Sequence, residues 1–396
     1  MKIAFITEDI FGESVGGVEY HIYNMSQELA KLDNEIFIFS LLIGSKSSYE
    51  KKLIFDNQKN SKIWLVKIIK KNFLFGLLKI LNRKAKGSFG MAIGLLSKLL
   101  PNIYYKTLVN EVKKLDPEIV HQHDYLANIV TSKILSKKYP VIFTNHTGQY
   151  LYLEKSTIGR YIQKFLIKHF KTIIGPSREL TPNTKNSHYV SNGVDINFFK
   201  GKKNKKFDKR FVFICARRWA PTKGIKYLAE AMSQLSEKAQ SSSLFLFAGS
   251  DSDDYIWYKD EIIKKLNKLP SHLYKLLGNL NQEELRDVFL SSDVTIIPSV
   301  MEATSLAAME GMACGLPVIS TNVGGMPEII THNSTGWLVN SKNSKEIVSI
   351  IEKIVDEKYD LFKMGESANQ YVNQNKSWQS IAIKVEKIYK DSLQHE

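Results

Sequence analysis

Cysteine is nearly absent: Cys215 and Cys314 are the two in a chain of 396 residues. Both stand beside apolar strand or helix patterns. Buried, reduced thiols are therefore expected in preference to a disulfide scaffold. No apolar run approaches the ~18 residues of a spanning helix. The best, residues 89–96, is soon broken by Lys98. Met1-Lys2 leads straight into Ile-Ala-Phe-Ile with no small-residue cleavage site, so no secretory leader is expected. The fingerprint Gly-x-Gly-x-x-Gly is missing after the first apolar run, which argues against NAD or FAD. Acid is scarce in one region. Residues 51–114 carry 15 Lys/Arg against 2 Asp/Glu, so 13 of the net +15 charges lie there.

What is present reads as an ordinary globular chain, 43% apolar and 24% charged, long enough for two domains. Within the basic region, residues 66–87 mix Lys67, Lys70, Lys71, Arg83 and Lys86 with Ile69, Phe73, Leu74, Leu77, Ile80 and Leu81. That composition suits a helix lying on an anionic membrane surface, or a solvated basic helix packed on its own domain. A basic patch alone is permissive for nucleic acid, but no known nucleic-acid module is visible, and none is expected as a partner.

Apolar runs alternate with helical patterns along the chain. Residues 2–7 suit a buried first strand. The helical pattern Val18, Ile22, Met25, Leu29 opens at Gly16-Gly17. That pair is either a tight turn or a place where backbone N–H groups approach a phosphate. Further strands are expected at 35–42, 118–122, 141–145 and 172–175, while 63–69 is open between strand and helix. His121 and His123, two apart on a strand, share a face. No third ligand follows at useful spacing, so no metal site is expected. His146, just past a strand, suits a sugar hydroxyl, a cap or the surface. Residues 198–210 hold seven Lys/Arg in thirteen and read as a solvated linker. A strand at 211–216 then runs into Arg217, Arg218 and Lys223-Gly224, ahead of a helical pattern from Ile225. Arg218 and Lys223 at a strand end, with Gly opening the helix, suit a diphosphate, or are plain surface charge. A strand at 244–248 ends in Gly249, and a short strand and turn carry Gly278 and Asn279.

Residues 298–329 hold the densest pattern. The apolar run 292–299 reads as a buried parallel strand, which puts Glu302 in the loop past its carboxyl end. Thr304 and Ser305 are good N-cap types. Leu306, Met309 and Ala313 follow at helical spacing. Glu310 falls about five residues into that helix, roughly 8 Å from its start. Helix starts bind phosphate, and carboxylates at those two distances suit hydroxyl-rich groups on either side of a diphosphate.

Joined together, Glu302, Glu310, the Met-Ala-Cys-Gly-Leu-Pro-Val-Ile run at 312–319 and the Gly-Gly-Met-Pro-Glu of 324–328 resemble the signature of the family-4 glycosyltransferases. These are retaining GT-B enzymes that use nucleotide-sugar donors. The resemblance is tight over 211–340 and loose over 40–115. It departs at 303–306, Ala-Thr-Ser-Leu where the family often has Gly-Phe-Gly-Leu, at Arg217, where the family usually has Gly, and at Asp251, which replaces a loop Gly.

The resemblance implies two doubly wound, Rossmann-like α/β domains facing a central cleft. The first would span residues 1–197 on the acceptor side, with the basic insert at about 51–114. After a linker at 198–210, a nucleotide-sugar domain would span 211–374, and a last helix at 375–396 would cross back. It also implies that Glu302 meets the donor sugar's hydroxyls and Glu310 the ribose, while Arg218 and Lys223 hold the diphosphate. Gly249, Gly278 and Asn279 would line the donor, with Thr304, Ser305 and Leu306 at the helix start. Gly16 and Gly17 would form the first loop, His146 would approach the donor sugar and His123 would line the acceptor cleft. Catalysis would fall to Glu302, His146, Arg218 and Lys223. The donor is a substrate, no cofactor is expected, and Asp251-Ser252-Asp253 is discounted as a cation site.

The expected activity is transfer to a glycan or lipid-linked acceptor in cell-surface polysaccharide or glycolipid synthesis. The expected place is the cytoplasm, peripheral at the inner membrane face through residues 66–87. The rival readings are a non-catalytic membrane-associated protein that keeps the fold, and a glycan phosphorylase or nucleotide-sugar epimerase of similar fold.

Overall fold

The computed structural model describes residues 1–8, 17–44, 47–56, 62–84, 93–94, 96–146, 149–154, 156–201, 210–249 and 255–394. Two compact units divide the chain, residues 1–192 with 378–396, and residues 193–377.

The first unit is built on eight strands: β1 Lys2–Thr7, β2 Glu35–Gly44, β3 Ser48–Asp56, β4 Lys62–Lys71, β5 Ile119–Gln122, β6 Val141–Thr144, β7 Thr172–Gly175 and β8 Ser187–Tyr189. Their order across the sheet is β3-β4-β2-β1-β5-β6-β7-β8. All pairs are parallel except β3 with β4. Helices α1 Gly17–Lys31, α2 Phe73–Lys84, α3 Tyr105–Leu115, α4 Ile129–Leu135, α5 Gln149–Glu154 and α6 Thr157–Ile167 connect the strands. The final helix, Trp378–Gln394 (named α15 from its place in the chain), belongs to this unit and packs against α1. Asn34 Nδ2 donates to Glu386 at 3.0 Å, and Tyr389 Oη lies 2.6 Å from His121 Nδ1.

The basic segment 66–87 is not one helix. Val66 and Ile68 are buried in β4, which pairs with β2 from Ile63 through Lys71, and α2 begins only at Phe73. Nine residues of ladder hydrogen bonding and an apolar inner face outweigh the helical moment of the first third. Residues 85–87 lie outside the described residues. The antiparallel β3, Ser-Tyr-Glu-Lys-Lys-Leu-Ile-Phe-Asp, was not expected, because an edge strand carries too few apolar positions to show a period.

The second unit has six strands: β9 Phe211–Ala216, β10 Ser243–Ala248, β11 Tyr274–Gly278, β12 Val294–Ile297, β13 Val318–Thr321 and β14 Gly336–Val339. They are all parallel, in the order β11-β10-β9-β12-β13-β14. Its helices are α7 Ile196–Phe199, α8 Ile225–Met232, α9 Glu237–Ser241, α10 Ile256–Leu266, α11 Gln282–Leu290, α12 Leu306–Ala313, α13 Ser344–Val355 and α14 Leu361–Asn375. Helices cover both faces, so the central strands are apolar on both sides. Phe213, Cys215, Phe245 and Phe247 point into one core. Val212, Ile214, Leu244 and Leu246 point into the other. The two thiols are free and buried, Cys215 in the first core and Cys314 in the second.

The division at 192/193 precedes the basic linker. Val194 and Phe199 pack into the second unit's core, and Val194 N–H donates to Lys376 O at 2.8 Å. Of the basic run 198–210, residues 202–209 lie outside the described residues.

Phe213 and Phe245 stack at 4.9 Å between centroids. Phe213→Ala should lower the second unit's unfolding free energy by about 3–5 kcal/mol in urea titration. A loss below about 1 kcal/mol would show that this stack does not organise the core.

Candidate functional site

Strand order fixes where a ligand can sit in the second unit. The chain leaves β9 outward through β10 and β11, then returns to β9's other side as β12. A sheet of this kind opens a crevice at that reversal, past the strands' carboxyl ends. Arg217 follows β9, and Glu302 lies in the loop after β12.

That loop is pinned from several sides. Val300 and Met301 N–H both donate to Thr222 O, at 2.8 and 3.2 Å, and Thr321 Oγ1 donates to Ser299 O at 2.6 Å. Gly324, at φ 54°, passes so close beneath it that a Cβ would come within 1.6 Å of Glu302 O. Only glycine fits there. Held in this way, the Glu302 carboxylate pairs with Arg217 and with Lys223 Nζ at 3.0 and 3.2 Å, and accepts from Ser299 Oγ at 3.1 Å. Arg217 also donates to Ser299 Oγ at 3.3 Å and to Ser305 Oγ at 2.9 Å. Ser305 is the N-cap of α12 and accepts from Ala308 N–H at 3.3 Å. One guanidinium therefore ties the loop carboxylate to the helix start.

Burial alone would raise the Glu302 carboxyl. Arg217 first, then Lys223, then the Lys223 and Ser299 hydrogen bonds outweigh it and hold the pKa at about 2. Lys223 is lowered to about 8 by burial and then by Arg217, against the pull of Glu302. Glu310, the fifth residue of α12, is buried without a charge partner at hydrogen-bond distance among the described residues. Burial pushes it up to about 7, with Arg217 pulling the other way. The two glutamates are thus opposite in state, one held ionised and one on the edge of protonation at neutral pH.

The other expected donor residues fall as follows. Arg218 is exposed beside the cluster, and its charge is felt at Lys223. It is Arg217 that is drawn inward. Its N–H donates to Ala248 O at 2.7 Å, so the pleat of β9 runs one residue further and carries the 217 side chain to the inner side. Counting that alternation on from Phe213 and Cys215 would have found it. Gly249 N–H donates to Gly278 O at 2.7 Å, joining the loops after β10 and β11, and Asn279 beside them is exposed. Thr304 is buried and Leu306 opens α12. Gly17 opens α1. Gly16 and Asp251-Ser252-Asp253 lie outside the described residues.

In the first unit, four histidines gather at the carboxyl ends of β5 and β6. His123 Nδ1 lies 3.1 Å from His146 Nε2. The His21 ring, from α1, sits 4.5 Å from that of His146 and 5.3 Å from Trp378, and its Nδ1 lies 2.9 Å from Asn192 Oδ1. His121 is held by Tyr389 and by Thr144 Oγ1 at 2.7 Å. Burial lowers all four pKa values, His21 to about 4, and mutual repulsion lowers His121, His123 and His146 further. They are neutral rings, each with one donor and one acceptor. No third ligand was expected beside His123, but folding brings two. The ligand nitrogens of His21, His123 and His146 lie within 4.8 Å of one another, the one such trio among the described residues and the place there that could hold a metal ion. His21 falls on the buried stripe of α1 with Ile22 and Met25, a register visible in the sequence.

Two consequences can be measured. Arg217→Ala strips a buried carboxylate of its first partner and should cost about 3–5 kcal/mol of stability, whereas Arg218→Ala at the surface should change it by less than about 0.5. Equal effects would contradict the placement of Arg217. For Glu310, the folded pKa lies above the ordinary 4.5, so the fold favours the proton. That stabilisation is fully present below pH 4.5 and is lost as pH rises through about 7. Wild type should therefore lose about 3 kcal/mol relative to Glu310→Gln between pH 4.5 and 8. A difference that stays constant with pH would refute the shift.

Comparison with known proteins follows the same two-part division. The family model described as Glycosyltransferase Family 4 matches residues 15–198, and that described as Glycosyl transferases group 1 matches residues 197–378. An uncharacterized glycosyltransferase of Methanocaldococcus jannaschii is 25% identical over 99% of this chain and 98% of its own. Sucrose-phosphate synthase from Thermosynechococcus elongatus is 17% identical and superposes over 100% of both chains with a TM-score of 0.76. The Anabaena protein HepE in complex with UDP is 16% identical over 99% of this chain and 100% of its own, with a TM-score of 0.72. With the two models abutting in order and the two parallel-dominated sheets of GT-B structures, the chain belongs to the family-4 glycosyltransferases and has the GT-B fold.

Proposed function

We propose that the chain moves a sugar from a nucleoside diphosphate to a hydroxyl of a glycan or lipid-linked acceptor, with retention at the anomeric carbon. The observation that carries this reading is the junction of Arg217, Lys223 and Glu302 with the cap of α12 at the β9/β12 reversal. Arg217, Arg218 and Lys223 against one ionised glutamate leave two positive charges, which match the two negative charges of a sugar-linked diphosphate. The nucleotide in the HepE structure supports a nucleotide donor here.

In this reading the diphosphate takes Lys223, Arg218 and the first N–H groups of α12 as partners. Glu302 turns to the sugar hydroxyls, and Glu310 accepts from the ribose. The bond from the anomeric carbon to the diphosphate oxygen breaks, and the cations and helix start stabilise the charge that collects on the leaving group. The acceptor oxygen bonds to the same face of that carbon, and its proton passes to the departing phosphate. No step needs a metal ion. The neutral rings of His146 and His123 are assigned to sugar and acceptor hydroxyls.

Membrane contact through the basic segment is part of the proposal, and we assign it to α2; the exposure of Phe73, Leu74, Leu77 and Leu81 supports this. Among the described residues no helix is long and apolar enough to cross a membrane.

A panel of nucleotide sugars screened by thermal shift should find one that raises the melting temperature. With that donor, Lys223→Ala and Glu310→Ala should each cut transfer by roughly 10²–10³ while the fold survives. Wild-type rates in either variant would sink the assignment. No donor turnover by the wild type would favour the non-catalytic reading, and phosphate-dependent glycan cleavage a phosphorylase.

A further inference from the structure

Helix α6 turns the wrong side outward for a helix of a soluble domain. Ile158, Tyr161, Ile162 and Phe165 are 75%, 71%, 47% and 55% exposed. Their spacing, i, i+3, i+4 and i+7, gathers them within about 100° of arc on a helix of ~100° per residue. The opposite side carries the buried residues Gly159, Gln163 and Ile167. Gly159 fixes that orientation: a Cβ there would come within 2.0 Å of Leu153 O, so α6 lies directly against the end of α5 by its one residue without a side chain. Gln163 Nε2 donates to Tyr150 O at 3.4 Å, further along the same seam. The apolar stripe is therefore held away from the core by packing on its other face.

Charge surrounds the stripe on one side. Arg160, Lys164 and Lys168 run along its flank, and the ammonium groups of Lys168 and Lys133 stand 4.4 and 4.9 Å from the Phe165 ring centroid. Residues 155–178 contain six Lys/Arg and no Asp or Glu. An exposed stripe with two aromatic rings, bordered by cations on a helix that itself carries no acid, has the chemistry of a helix lying in an anionic lipid interface. At eleven residues α6 is far too short to span.

We propose that α6 docks the first unit on an anionic membrane, apolar stripe inward and cations against the headgroups. This deepens the membrane part of the proposed function and rests on its membrane-side acceptor, and it adds to α2 an anchor on a helix outside the strongly basic region 51–114. The glycosyl transfer itself does not depend on it.

The test uses the full chain in co-sedimentation with phosphatidylcholine vesicles, with and without phosphatidylglycerol. Wild type should bind the anionic vesicles and release from them as salt rises, because salt screens the cations from the headgroups. Ile158→Ser with Phe165→Ser, and separately Arg160→Glu with Lys164→Glu, should each lower the bound fraction by roughly tenfold or more. All four positions are at the surface, so the fold should hold. An unchanged thermal shift with the donor confirms that the second unit is intact. If either pair sediments like wild type, α6 is not an anchor. If wild type ignores anionic vesicles while the donor shift persists, docking is overturned and the transferase reading stands. Specific capture of one protein in lipid-free buffer, abolished by the same substitutions, would replace the membrane with a protein partner.

Discussion

A carboxylate taken out of water must be paired, and Glu302 is the place where this chain meets that constraint. Its partners come from three separate segments. Arg217 is supplied by the end of β9, Lys223 by the turn before α8, and Ser299 by its own loop. The same guanidinium reaches Ser305, so the start of α12 is positioned by the ion pair that neutralises the glutamate. Strand order, loop path and helix cap converge on one charge balance. A change at any of the three segments would be felt at the other two.

Much of this could be read in the residues. The apolar strand β9, the apolar run of β10 after Ser243, the β-branched run into β12 and the cap at Ser305 follow from burial on both faces and from helix-start chemistry. Glu302, Lys223 and Glu310 were visible from their places past strand ends. What was not visible depends on pairing between distant segments. Arg217 was passed over for Arg218 because the alternation of Phe213 and Cys215 was not carried past residue 216, where the apolar run stops. His21 was missed because its partners lie about a hundred residues away, at the ends of β5 and β6. Helix α6 was passed over although Ile158, Tyr161, Ile162 and Phe165 stand at helical spacing; that period marks a helix but does not say which face turns to solvent, which the packing of Gly159 against the end of α5 decides.

The side-chain clusters at the strand ends of the two units differ in electrical character. The second gathers fixed charge, with cations in excess over one ionised glutamate. The first gathers imidazoles that burial keeps neutral. Neutral rings suit hydroxyl groups, which need both a donor and an acceptor. Cations suit phosphate. Under the proposed function, the cations take the diphosphate and the neutral rings take hydroxyl groups of sugar and acceptor.

The antiparallel strand β3 carries a consequence of its own. As the last strand beyond β4, it leaves one row of backbone N–H and C=O groups unmatched, the template on which a second copy could add a strand. Lys51 and Lys52 sit in the middle of it, and the Lys51 ammonium stands 5.3 Å from the Trp64 ring centroid. The far border of the same sheet is the three-residue β8. One border carries Lys51 and Lys52 beside Glu50, charge that must be desolvated before another strand can add, and the other is too short to seed a ladder. An eight-stranded sheet can then exist at high concentration without growing into a fibre.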